Sequence, residues 1–196
     1  MNELEAFGSK FWEHEYKAGG NSGIGSYGMA ADFKAKVING FLAKYKPAGV
    51  IEFGCGDGHQ LGMINYPKYT GFDVSPTTLD TCKYLYSEDA TKTFKLVSEY
   101  AGELAELTLS LDVIYHIIEQ EVWENYLKRL FAAATKWVII YATDTDHNEP
   151  NHLPHMLHRK FTSWVSEHAN EWKQIEHVKN ECPYATAFFI YAHQSK

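Results

Sequence analysis

At 196 residues the chain has room for one domain and little more, since domains cluster at roughly 100–150 residues and one core grows only somewhat beyond that. Hydrophobic residues at 45% and aromatics at 15% exclude a disordered chain, and 25 Asp plus Glu against 18 Lys plus Arg, a formal charge of -7, argue against nucleic acid as partner. The opening Met-Asn-Glu-Leu-Glu-Ala lacks the basic flank and apolar stretch of a signal peptide, and no later run approaches the ~20 apolar residues of a membrane span, so the cytoplasm is the expected location.

Residues 19–28 are glycine-rich, offer no apolar face and carry Tyr27; they read either as a lid or as a disordered N-terminal link. Met29, Phe33, Val37, Ile38, Phe41, Leu42 and Tyr45 then form the stripe of an amphipathic helix over 29–46, ended by Pro47. Residues 49–53 read as a short strand entering the loop Glu52-Phe53-Gly54-Cys55-Gly56-Asp57-Gly58, and the chain from Gly58 to before Pro67 as a helix. A second strand over 69–74 delivers Asp73 near its end, and Ser75-Pro76 starts a helix to about Tyr86 with Ser75 as N-cap. Strands are expected over 94–98, 107–114 and 137–142, with a helix carrying Trp123, Tyr126, Leu127 and Leu130 before the last of these. The fifth strand does not alternate, so it is expected to be buried on both faces. The runs 172–178 and 185–192, separated by Asn180-Glu181-Cys182-Pro183, predict an antiparallel hairpin at one sheet edge. The expected fold class is α/β, with a mostly parallel sheet and helices on both faces, in one domain over 1–196.

In open α/β sheets ligands bind beyond the carboxyl ends of the strands. Gly54, Gly56 and Gly58 sit there and let backbone approach a ligand closely, and Asp73 can accept two hydrogen bonds from a ribose diol. A dinucleotide site of the form Gly-x-Gly-x-x-Gly would need glycine at position 59, where the chain has His59, and Glu52 repels a pyrophosphate more than a cationic methionine moiety. Cys55 fills a tight turn, and Cys55, Cys82 and Cys182 are too scattered for a disulfide framework.

On the motifs Glu52-Phe-Gly-Cys-Gly-Asp-Gly58 and Gly71-Phe72-Asp73 the chain resembles the class I S-adenosylmethionine-dependent methyltransferases, from the glycine loop to the final hairpin. The resemblance implies a Rossmann-like, seven-stranded sheet with the last two strands antiparallel, and S-adenosylmethionine as cofactor. It implies cofactor contacts from Glu52, Gly54, Cys55, Gly56, Asp73, Val74 and Asp112, an adenine contact from Glu99 with Tyr100 beside it, and residues 1–28 as a lid in which Tyr27 orders over the cofactor. A narrower resemblance covers the stretches 19–28, Ser110-Leu-Asp112-Val-Ile-Tyr115-His116, Val138-Ile-Ile-Tyr141 and Pro154-His155-Met-Leu-His158-Arg159-Lys-Phe161. These look like methyltransferases of bacterial capsule and surface-polysaccharide pathways, some of which are thought to O-methylate a phosphoramidate group.

The acceptor expected from this is a small anionic molecule or a sugar. Asp112 and His116 are the candidate catalytic residues, and Tyr115, His116, Tyr141, His155, His158 and Arg159 the candidate acceptor contacts. Arg159 can grip a phosphoryl or carboxylate group bidentately. Asp112 reads equally as a buried loop cap and His116 as a histidine satisfied by backbone; the 155–159 cluster reads also as a solvated helix start, or as a metal site with Asp144 or Asp146, although no tight ligand pattern appears and none is expected. Methylation of a sugar hydroxyl or a nitrogen on a nucleotide sugar, a non-catalytic methyltransferase-like subunit, and a nucleotide-binding oxidoreductase are the competing functions.

Overall fold

The computed structural model describes Glu3 and residues 6–180 and 185–194. Cys182 and most of the expected hairpin turn lie outside the described residues. In chain order the elements are α1 (Phe7–Lys17), α2 (Gly28–Tyr45), β1 (Gly49–Phe53), β2 (Lys68–Asp73), α3 (Pro76–Leu85), β3 (Lys92–Leu96), β4 (Ala105–Leu111), α4 (Gln120–Ala132), β5 (Ala134–Ala142), α5 (Phe161–His168), β6 (Trp172–Lys179) and β7 (Ala187–His193). The strands form one seven-stranded sheet in the order β3-β2-β1-β4-β5-β7-β6. The first five run parallel, and β7 inserts antiparallel between β5 and β6. The expected fold class, a mostly parallel sheet with a C-terminal antiparallel hairpin, is therefore the observed one.

Strand period two divides the core between the faces. Val50, Leu107 and Leu109 pack under Phe33, Ile38 and Phe41 of α2 and Leu79 of α3, while Ile51, Phe53 and Phe72 pack with Trp123 and Leu127 of α4 and Trp164 of α5. Residues Val138 to Ala142 of β5 are buried, as a strand covered on both faces requires. Ser75 caps α3 by accepting from Thr78 N, with Pro76 at the first helical position. Among the described residues no helix is long and apolar enough to cross a membrane.

Three expectations need correction. The helix predicted between Gly58 and Pro67 is only a 3-10 turn, Leu61–Met63, because Ile64 turns to extended backbone and lets Ile64 and Tyr66 bury at alternate positions. The third strand ends at Leu96, where Val97–Glu99 turns as a 3-10 segment with the Glu99 carboxylate accepting from Leu96 N at 2.7 Å. The fourth stops at Leu111, before Asp112 takes a left-handed φ of 59°. Helix α1, absent from the sequence reading, is the remaining difference.

Candidate active site

The carboxyl ends of β1, β2 and β4 open into a cavity of about 380 Å³, within the usual range of roughly 300–1,000 Å³ for small-molecule sites. Its floor is the glycine loop. Gly54 has φ 86° and faces Val113 so closely that a Cβ would collide with the valine, which keeps this wall bare backbone. Gly54 N and Cys55 N both bond the carbonyl of Phe72 at the tip of β2. Asp73 is buried, and its two oxygens accept from Gly56 N at 2.9 Å and Ser75 N at 3.0 Å. A carboxylate has about four lone-pair sites, so Asp73 retains capacity for a ligand.

The cavity wall is acidic. Glu3, Glu52, Asp73, Asp112 and Glu119 line it against Lys34, with no other lysine or arginine among the described lining residues. Burial pushes Glu52 up to about 7 even though Tyr69 donates to it at 2.7 Å, and pushes Asp73 up to about 6. Lys34, 1% exposed, pairs with Asp112 Oδ2 at 2.7 Å, while Tyr115 donates to Asp112 Oδ1 at 2.7 Å. Both Asp112 oxygens are thus engaged. Glu119 Oε1 accepts from Phe7 N, whereas buried Glu119 Oε2 and Gln60 Oε1 have no hydrogen-bond partner among the described residues.

Helix α1 roofs the cavity. Trp12 meets the His116 ring edge-on at 5.0 Å between centroids, and Phe11 stacks on His155 at 4.0 Å. Glu13 accepts from Ser75 Oγ at 2.5 Å and Thr77 Oγ1 at 2.9 Å, which ties α1 to the start of α3. Behind α1 the glycine-rich segment folds over the glycine loop. Asp57 Oδ2 accepts from Ser22 N and Tyr27 OH, each at 2.8 Å, and Asp57 N donates to Ser22 Oγ at 2.9 Å. Tyr27 also stacks on His59 at 4.1 Å.

His116 and His155 line the cavity with nearly parallel rings 5.4 Å apart. His116 Nδ1 lies 3.3 Å from the His155 carbonyl. A carbonyl only accepts, so Nδ1 carries the proton and Nε2 the lone pair. Burial pushes His116 down to about 4, which keeps the ring neutral.

Of the sequence-predicted residues, Glu52, Gly54, Cys55, Gly56, Asp73, Val74, Asp112, Tyr115, His116 and His155 come together on the cavity wall. Tyr27, Glu99, Tyr100, Tyr141, His158 and Arg159 do not line it. Tyr27 and Glu99 are taken up by the bonds above, and Tyr100 packs edge-on against Phe53 and Phe72. Tyr141 is buried, its hydroxyl accepting from Asn180 and Thr186. His158 Nδ1 sits 2.7 Å from Thr143 Oγ1. The Arg159 guanidinium, expected to grip the acceptor, instead donates to the carbonyls of Ile117 at 2.8 Å and Ile118 at 2.5 Å and lies over Trp123. Lys34, Trp12 and Glu119 are wall residues that the sequence reading missed. The spacing of Phe7, Phe11, Trp12 and Tyr16 was a helical stripe that would have exposed α1. Among the described residues, no three His, Cys, Asp or Glu side chains converge as a metal site.

No family model matches the chain, and no curated protein matches it significantly. Solved structures do. The N-methyltransferase NodS from Bradyrhizobium japonicum in complex with S-adenosyl-L-homocysteine is similar with a TM-score of 0.68 at 10% identity, over 95% of this chain and 98% of that one. Magnesium protoporphyrin IX methyltransferase from Synechocystis with bound S-adenosylhomocysteine gives 0.68 at 14% identity, over 97% and 96%. The methyltransferase domain of bacterial CtHen1 gives 0.63 at 17%, over 83% and 97%. At such identities the likeness is one of architecture, and the chain has the Rossmann-like methyltransferase fold.

Proposed function

We propose that the chain is a methyltransferase that uses S-adenosylmethionine to methylate a small molecule, with residues 1–28 acting as a lid. The observation that carries this reading is the cavity's lining: Glu3, Glu52, Asp73, Asp112 and Glu119 face it against Lys34 alone among the described lysines and arginines, a wall suited to a cationic ligand. A pyrophosphate would meet the same carboxylates as repulsion, which disfavours the oxidoreductase alternative. S-adenosylmethionine, when bound, supplies an electrophilic methyl group on a sulfonium.

The chain's own residues fit that group. Asp73 would take the ribose diol on its remaining lone pairs, and the bare backbone at Gly54 to Gly56 would run along the methionine portion. Glu119, which lines the cavity and has an open carboxylate oxygen, is better disposed to accept from the adenine amino group than Glu99, which does not line it. Trp12 and the segment from Ser22 to Ile24 would exclude water from the reacting centre. His116, neutral and with its lone pair on Nε2, would receive a proton where the acceptor must lose one.

For the acceptor we carry forward O-methylation of a small anionic group in capsular polysaccharide biosynthesis, with phosphoramidate as the candidate. Its support is the resemblance of residues 19–28 and 154–161, and a sugar hydroxyl or nitrogen is the alternative. With Arg159 bonded to Ile117 and Ile118 and Lys34 paired with Asp112, the anion would have to be met by the His116 and His155 pair.

Calorimetry tests the cofactor. S-adenosylmethionine should bind the wild type, and Asp73→Ala should weaken it by about tenfold or more, as hydrogen bonds to a charged acceptor are each worth ~1.5–3 kcal/mol. Unchanged affinity in the folded variant would remove Asp73 from the ribose site. Binding without transfer of a labelled methyl to any phosphoramidate or nucleotide sugar would favour a non-catalytic subunit.

A further inference from the structure

An anion faces a difficulty in the acceptor half of this cavity. Lys34, the lone described lysine there, is already neutralised by Asp112. Arg159 does not line the cavity and is bonded to the Ile117 and Ile118 carbonyls, and Arg129 is held by Glu3. What remains is the parallel ring pair of His116 and His155, with His155 held between that ring and Phe11.

We propose, building on the anionic-acceptor reading above, that His155 is an anion receptor charged by the acceptor itself: a phosphoryl oxygen enters beside His155 and one proton is taken up from solvent with it. His116 stays neutral and offers Nε2 to a hydroxyl or amide N–H on the same acceptor. Two cationic imidazoles 5.4 Å apart would repel, so the pair takes one proton and not two. His155 is the better recipient. It is only partly buried, and the Glu15 carboxylate on α1 favours its cation, whereas His116 is more deeply set and is tied through Nδ1 to a carbonyl.

The other charged groups around the pair do not supply this role. Asp112 is paired with Lys34 and bonded by Tyr115, Glu119 holds Phe7 N, and His158 adds only repulsion toward His116. Without an anion, burial holds both His116 and His155 below the ordinary imidazole range. An anion beside His155 reverses that bias.

The test uses the whole chain loaded with S-adenosylhomocysteine, whose own binding is measured first by calorimetry. Dimethyl phosphate is the probe, since its charge is fixed between about pH 5 and 8, the range in which histidine titrates. At a pH between the free-state and bound-state pKa of His155, calorimetry in two buffers of different ionisation enthalpy should count close to one proton taken up per anion, and affinity should fall by up to about tenfold per pH unit across that interval and level off above the bound-state pKa. Neutral trimethyl phosphate should bind without proton uptake. The imidazole NMR signals of His155 should titrate about two units or more higher with the anion present, the shift that an uptake close to one proton requires. His155→Phe, which keeps a ring against Phe11, should retain S-adenosylhomocysteine but lose the proton uptake and the pH dependence. Anion binding with no proton uptake, binding unaffected in His155→Phe, or trimethyl phosphate binding as tightly as the anion would overturn the proposal. Failure of dimethyl phosphate to bind a loaded protein overturns it too while leaving the cofactor reading intact. Failure of S-adenosylhomocysteine to bind overturns both.

Discussion

The floor and the roof of the cavity are built by different means. The floor is strand ends and backbone: Gly54 N and Cys55 N on the Phe72 carbonyl, Gly56 N and Ser75 N on Asp73, and the pair of buried Lys34 with half-buried Asp112. The roof is α1 and residues 19–28, held to the floor mainly through carboxylates, Glu13 on Ser75 and Thr77 and Asp57 on Ser22 and Tyr27. Floor contacts are cooperative with the sheet, whereas roof contacts can break a few at a time. The floor should therefore govern stability and the roof should govern ligand retention.

The sharpest way to break that division is Lys34→Met. It leaves half-buried Asp112 without its cation, and removing one partner of a buried pair costs up to ~3–5 kcal/mol. Urea denaturation should show a loss of that order. A loss below ~1 kcal/mol would place the pair outside the stabilising floor.

On the other side stands Asp57→Ala, which releases Ser22 N and Tyr27 OH together. The expected outcome is a fall in S-adenosylmethionine affinity of about tenfold, with a fold stability loss of only ~1–2 kcal/mol. Equal affinity in the variant would mean that the roof closes without this latch.

A further test concerns pH. Glu52 is raised from 4.5 to about 7 chiefly by burial, so the folded state holds its proton more tightly than the unfolded chain. Its contribution to stability is present below about pH 4.5 and is lost as pH rises through about 7. Asp73, raised to about 6, acts with the same sign. The urea midpoint of the ligand-free protein should thus drift downward across this window, Glu52→Gln should flatten the drift, and a cationic ligand should reverse it. A midpoint rising with pH equally in wild type and variant would show that Glu52 is ionised throughout.

The same division explains what was legible in the sequence. Strand, glycine turn and terminal acid are local patterns, so the Glu52 to Gly58 loop and Asp73 could be read directly. Roof residues depend on distant partners. Nothing near Arg159 announces that the carbonyls of Ile117 and Ile118 will take its guanidinium, and nothing near Glu99 separates an adenine ligand from a cap on Leu96 except the point where β3 ends. Nothing near Lys34 in the sequence marks it for burial; it is buried because Asp112, far along the chain, supplies its counter-charge. Helix α1 was legible in principle from its aromatic spacing.

Ser75 belongs to both structures at once. Its N–H donates to Asp73, its hydroxyl donates to Glu13 on α1, and the same hydroxyl oxygen receives Thr78 N. Lifting the roof from this end therefore removes a fixed neighbour from the very residue that orients the Asp73 carboxylate. By reciprocity, a ligand that tightens Asp73 must also tighten the helix above it, and a departing product must loosen both. Ligand retention and roof closure are thereby linked in free energy, and a substitution at Ser75 should weaken ligand retention before it weakens the fold.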